Sequence, residues 1–215
     1  MLGAFRHRDF RLFWGGQLGI RQGLIGALSY AVGTPQVSFT LALLVAVSLL
    51  GLNFNVVVPL IARDVLHEGA QGFGLLMSAL GVGAVIGAGA LALLRRDRPP
   101  LSLLAGSAAI LCAGVATLGL VSHFAVAVAV LAVLGYLQIY FSTSCNITLQ
   151  LITPQAMRGR VMGLYAMAFA GMTPFGSLLV GTLAEHLGVR AACVLGGALG
   201  VLAVGALALI ARQRR

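Results

Sequence analysis

Charged residues divide this chain into uninterrupted apolar runs, and the length of those runs decides which solvent it can fold in. Arg21 precedes a run that lasts to Ala62, where Arg63, Asp64 and Glu68 close it. Arg95, Arg96, Asp97 and Arg98 close a second run and Arg158 a long third, while Glu185 and Arg190 separate the last two. A helix needs about 20 mostly apolar residues to cross the hydrocarbon of a bilayer, because each residue rises only about 1.5 Å. Every one of these runs is long enough. Only 9% of the residues are charged, against about 25% in soluble domains, so a water-facing surface cannot be assembled. The expected class is an all-α integral membrane protein.

The first run is too long for one crossing and too short for two with a loop. Thr34-Pro35-Gln36 breaks it, and Ser122-His123 hinges the third run into two. Six transmembrane helices are therefore expected at about 37–61, 72–94, 101–121, 124–150, 161–184 and 191–211, together a domain over 37–211. Residues 1–21 are expected to be a cytoplasmic lead-in without a cleavable signal peptide. Residues 22–36 form an interfacial linker with a short helix over 22–34, and 212–215 a cytoplasmic tail.

Arginine counting orients this scheme. One side collects four arginines from the N-terminal segment, three from the second loop (Arg95, Arg96, Arg98), Arg158 and Arg160 from the fourth, and three from the tail. The other side holds only Arg63 and Arg190. Cytoplasmic loops collect arginine and lysine, so both termini are expected inside the cell. A seventh span over 22–34 would move the N-terminal arginines outside. The net charge of +9 is then an orientation signal lying near anionic headgroups of the lipid bilayer. No soluble basic face exists to bind nucleic acid.

Polarity inside the spans is uneven. No acidic or basic residue lies in the middle of any span, so no coupling carboxylate of the kind used in proton relays is visible. The first span carries Asn53 and Asn55, and the fourth reads YLQIYFSTSCNITLQ from Tyr136, in which Tyr140 is a further candidate for lining a substrate cavity. An unpartnered amide in hydrocarbon costs roughly 4–8 kcal/mol. Gln138, Ser142 and Asn146 follow at steps of four and fall within about 80° of one another on a helix. Such a stripe must face a water-filled cavity or other helices, where it would act as inter-helix glue. Asn53 and Asn55 lie about 200° apart, so at most one faces a cavity while the other bonds a neighbouring helix.

Other features have plainer readings. Gly83 with Gly87, and Gly196 with Gly200, are small-xxx-small patterns that let helix backbones approach. Pro59 and Pro174 are expected to bend the first and fifth spans. Cys112, Cys145 and Cys193 are far apart in apolar runs, with neither metal-ligand nor disulfide spacing. No cofactor or metal is expected. His7, His67, His123 and His186 lie at span ends or in loops, which leaves an intramembrane hydrolase without a buried base, so no enzyme activity is expected.

The order of several motifs resembles a known family. TPQAMRGRVMGLYAMAFAGMTPFGSLLVGTLAEHLGVR, from Thr153 onward, resembles the tenth-to-twelfth helix region of the major facilitator superfamily, especially its drug- and siderophore-exporting branch of transmembrane secretion effectors. VVVPLIARDVLHEGAQGFGLLMSALGVGAVIGA, from Val56, is similar to that branch's seventh and eighth helices. GTLAEHLGVR is similar to the superfamily's G-x-L-A-D-R-x-G-R loop motif, with Glu185 at the acid and Arg190 at the last base. The loop LLRRDRPP keeps Arg95 and Arg96 but lacks that motif's ordered acid. FRHRDFRLFWGGQ resembles the lead-in to such a transporter's first helix, and RQGLIGALSYAVGTPQ the linker entering its seventh.

The resemblance implies half of a major facilitator fold, built as two inverted three-helix repeats, as if roughly six helices were missing between lead-in and linker. It implies a multi-pass protein of the bacterial cytoplasmic membrane that exports a bulky drug- or siderophore-like small molecule by alternating access, driven by the proton gradient. It makes the first and fourth spans pathway-lining helices, which adds to the case for Asn55, Gln138, Ser142 and Asn146 as lining residues. Six helices enclose one wall of such a pathway, so activity would require a second copy or a separate N-terminal half. The alternative is a truncated or partner-dependent membrane protein without transport of its own.

Overall fold

The computed structural model describes residues 25–93 and 99–213. The lead-in 1–21 and the loop arginines Arg95 and Arg96 lie outside the described residues. What is described is helical, with six helices long and apolar enough to span a bilayer. A short helix, α1, covers 25–33. The first span, Pro35–Val65, consists of α2 (Pro35–Leu50), α3 (Phe54–Leu60) and a wide π-helical turn, Ile61–Val65. The next three are α4 (Ala70–Leu93), α5 (Leu101–Leu120) and α6 (Phe124–Ile152). The fifth, Gln155–Leu187, joins α7 (Gln155–Ala166) to α8 (Thr173–Leu187) through a second π-helical turn, Met167–Gly171. The sixth is α9, Val189–Gln213.

The fifth helix begins at Gln155, six residues before the expected span, because Pro154 sits ahead of it in an extended conformation and Pro cannot donate to a preceding turn. Between α8 and α9 the chain reverses on a single residue, Gly188, at φ 85°. That left-handed backbone is open to glycine without a Cβ penalty. In the loop after the first span His67 takes φ 54°, a conformation uncommon outside glycine.

The first span is not one helix bent at its proline. It is interrupted at Gly51–Asn53, well before Pro59, which lies inside α3. Gly51 and Asn53 favour non-helical backbone, and the Asn53 side chain fills the gap by donating from Nδ2 to the Leu49 carbonyl at 2.9 Å. Gly51, Leu52, Asn53 and Phe54 are all buried. Irregular backbone at membrane depth is tolerated where protein covers it. Pro59 removes one donor from the helical ladder, and the wide turn that follows re-forms it, with Leu66 N–H reaching the Ile61 carbonyl at 3.0 Å. In the fifth span the interruption does fall beside the proline: Met172 lies between the wide turn and α8, and Pro174 occupies the first turn of α8.

The packing repeats with a pseudo-two-fold pattern. The second span lies along the fourth and the fifth along the first; the third touches the fourth as the sixth touches the first. The third and sixth spans lie against each other. These are the contacts that two three-helix units make when the first, second and third spans correspond to the fourth, fifth and sixth.

Glycine makes the closest of these contacts. A Cβ at Gly83 would strike the Ala132 carbonyl, one at Gly135 the Leu80 carbonyl, and one at Gly87 would lie 2.6 Å from the Tyr136 carbonyl. Both helices of the second–fourth pair thus give up side chains along one seam. Between the third and sixth spans the seam residues are Gly197, whose Cβ would stand 2.5 Å from the Cys112 carbonyl, and Gly200, 2.6 Å from Cys112 Sγ. Gly196 instead faces Leu50 of the first span at an ordinary 3.5 Å. The main core gathers Leu43, Leu44, Val47, Leu111, Leu131 and Phe141 around the first span. A second cluster docks Ala27 and Ala31 of α1 on Leu149, Val161 and Leu164.

Gly83→Val or Gly135→Val should therefore lower stability by about 1–3 kcal/mol or prevent folding through overpacking. Gly81→Ala, where nothing stands within 4 Å of a new Cβ, should leave the melting temperature in detergent unchanged or slightly raised. Thermal unfolding of the three variants checks this.

Candidate functional site

Gln138, Ser142 and Asn146 of the fourth span lie on one face of α6, where successive steps of four bring them into line. Gln138 is half-buried, Ser142 buried and Asn146 half-buried. Gln150, one further step along, extends the line by donating from Nε2 to Asn146 Oδ1 at 2.5 Å. The Ser142 hydroxyl turns back to the Ile139 carbonyl at 3.3 Å, leaving its own carbonyl to accept from the Tyr165 hydroxyl of α7, also at 3.3 Å. Tyr165 stacks on Phe169, ring centres 6.0 Å apart and planes 5° from parallel. The stripe is thus bordered by an aromatic pair from the fifth span.

Tyr140 belongs elsewhere. It lies about 200° around the helix from Gln138, is buried, and stacks on Tyr136 at 6.0 Å, whose backbone carries the Gly87 contact. Ser144 and Thr148, again four apart on α6, are buried with hydroxyls that have no partner among the described residues, as is Ser48 of α2. Helical serine and threonine ordinarily bond a carbonyl one turn back, so these hydroxyls keep unspent hydrogen-bonding capacity, and on α6 Ser144 and Thr148 lie on the side of Tyr140, away from the stripe.

The two asparagines of the first span differ completely. Asn53 is 3% exposed and ties together the two interrupted spans: Nδ2 bonds Leu49 O, and Oδ1 accepts from Ser177 Oγ of α8 at 3.4 Å. Gly176 allows this approach, since a Cβ there would stand 2.5 Å from Leu49 O and 2.7 Å from the Asn53 amide. Asn55 is exposed and opens onto a cavity of about 510 Å³ at one end of the bundle, with Pro59, Arg63, Asp64 and Glu185 in its wall. Arg63 and Asp64 pair there at 2.6 Å.

The loop residues do not gather at the stripe. Glu185 and Arg190 are exposed, and Arg190 donates to Ser122 Oγ at 3.0 Å rather than to the acid. Arg158 and Arg160 are exposed at the opposite end, Arg160 reaching Met157 Sδ at 3.6 Å. Among the described residues, no three His, Cys, Asp or Glu come together as a metal site. The arrangement is one of neutral hydrogen-bonding groups and aromatic faces, suited to holding a solute. Tyr165 carried no signal in the sequence, because its partner is 23 residues away; Gln150 could have been found by taking one more step of four.

A family model described as transmembrane secretion effector matches residues 17–215. No curated protein matches the chain, and no solved structure does.

Asn53→Ala should lower stability by about 0.6–2 kcal/mol, since it frees the Leu49 carbonyl and the Ser177 hydroxyl inside the bundle. Asn55→Ala, at an exposed position, should change it by less than about 0.5 kcal/mol. Chemical unfolding in mixed micelles compares the two.

Proposed function

We propose a solute exporter, on the premise that this chain belongs to the transmembrane secretion effectors of the major facilitator superfamily. That membership and its six spans make it a multi-pass membrane transporter. The exported solute is a bulky amphipathic molecule of drug or siderophore type, moved by alternating access with the proton gradient as the energy source. The observation that carries this reading is the stripe Gln138–Ser142–Asn146 on the fourth span, bordered by Tyr165 and Phe169. Neutral amides and aromatic faces hold a large, partly apolar molecule by hydrogen bonds and stacking without trapping it by charge.

In this proposal the arginine-rich side is cytoplasmic and the membrane is the bacterial inner membrane. The six helices form one wall of a pathway, and the other wall comes from a second copy or from a separate N-terminal half. A second reading, a membrane protein inert without such a partner, is favoured by the exposed faces of the second and fifth spans, where Leu75, Val85, Ile86, Phe175 and Leu178 have no protein over them.

Flux of a fluorescent amphipathic dye in proteoliposomes holding only this chain separates the two readings. Transport by the chain alone should show a half-saturating concentration raised about 3- to 30-fold by Gln138→Ala or Asn146→Ala, the loss of one intramembrane hydrogen bond. Unchanged flux in both variants would remove the stripe from the pathway. Absent flux, restored by co-reconstituting a partner, would establish the partner-dependent form.

A further inference from the structure

The interruption of the first span leaves backbone groups without partners. The last bond of α2 runs from the Gly51 N–H to the Val47 carbonyl at 2.7 Å. The next bonds along the chain are those that Val56 and Val57 send to the Asn53 carbonyl, both at 3.0 Å. Between them, among the described residues, the N–H groups of Leu52, Asn53 and Phe54 meet no backbone acceptor, and the Leu50 and Gly51 carbonyls meet no backbone donor. The Asn53 side chain repairs only Leu49. A carboxamide has two N–H donors and two acceptor lone pairs. Asn53 uses one donor on Leu49 and one lone pair on Ser177, so half of its capacity remains.

Neither bulk water nor lipid can satisfy these groups, because Gly51, Leu52, Asn53 and Phe54 are all buried. Buried backbone polar groups are paired with protein or with ordered water. The fifth span has no comparable deficit at its own interruption. Pro174 has no N–H to satisfy, the Thr173 hydroxyl donates to the Phe169 carbonyl at 3.0 Å, and Gly171 is exposed.

A small cavity lies against the first-span break. Leu50, Gly51, Asn53 and Phe54 line it on one side, and side chains of the third, fifth and sixth spans, Cys193 among them, line it on the other. The centre of a water-sized sphere has about 10 Å³ to move in, close to the least that a single water molecule requires. Cavities of this size that stay dry have apolar walls, whereas this wall includes the half-satisfied Asn53 and the unpaired backbone on either side of it.

We infer that the break of the first span binds one ordered water molecule. The water accepts from the free N–H groups at Asn53 and Phe54 and donates to the Leu50 and Gly51 carbonyls, replacing helical bonds that the interruption removes. Size and charge select this occupant. An organic solute or an acyl chain is too large, and a metal cation would lose its hydration shell with no charged side chain among the lining residues to compensate it.

The test is nuclear magnetic resonance of the full chain in detergent micelles, with asparagine and phenylalanine selectively isotope-labelled, reading magnetisation transfer from water to backbone amides. The sign of each cross peak separates a bound water from proton exchange. A bound-water peak is expected at Asn53, at Phe54 or at both, and none at Phe141, a fully buried residue inside regular α6. Ala192→Val, which fills the cavity wall, should remove the peak while the rest of the amide spectrum is retained. Replacing sodium in the buffer with a bulky organic cation should leave the wild-type peak unchanged. Absence of the peak at both amides of the wild type, an equal peak at Phe141, or its persistence in folded Ala192→Val overturns the assignment. A peak that is lost and amide shifts that move on sodium withdrawal would assign the site to a cation instead. Should Ala192→Val fail to fold, the wild-type spectra decide alone.

Discussion

In hydrocarbon no hydrophobic force draws one apolar helix onto another, because lipid tails are as good a neighbour as leucine. Helices then associate through close packing and a few internal hydrogen bonds. This chain meets that constraint by deleting side chains where backbones meet. Gly83, Gly87 and Gly135 let the second span lie on the fourth, and Gly197 and Gly200 do the same for the third and sixth. The pseudo-two-fold pairing of the spans follows from these seams, since each fixes which helix can come close to which.

The contact between the first and fifth spans is made differently. Each is interrupted, and the break in the first meets the start of α8, where Gly176 admits the Asn53 amide and Ser177 completes its bonding. A broken helix inside a bilayer leaves backbone groups that must find partners in protein. Asn53 supplies one from its own chain and ties the pair together with the other end of the same amide. Packing and helix breakage are here one device. It concentrates the departures from regular helix in the two spans that pack at Asn53.

The same geometry leaves the polar stripe of the fourth span in place on a rigid helix. Gln138, Ser142, Asn146 and Gln150 sit on one face of α6 while its opposite faces are committed to Gly87 and to the third span. A candidate solute surface is thereby held by a helix fixed along its length, bordered by Tyr165 from a span that contains a wide turn. Steps of four made the stripe legible in advance. The same arithmetic sets Tyr140 apart from it, and the residue proves to be part of an aromatic stack on another face. The bonding role of Asn53 was not legible, because Ser177 is 124 residues away and nothing local marks it as the partner.

The sequence by itself determined the number of membrane-spanning helices and the all-helical class, because the lengths of apolar runs between charges are set by bilayer thickness alone. It also determined which polar residues share a helix face, since that depends only on the pitch of the helix. Tertiary structure alone decided where the first span breaks, that Gly197 rather than Gly196 lies on the seam with Gly200, and which asparagine is enclosed. Each of those depends on which distant backbone comes within reach, and a linear pattern of residues does not specify that distance.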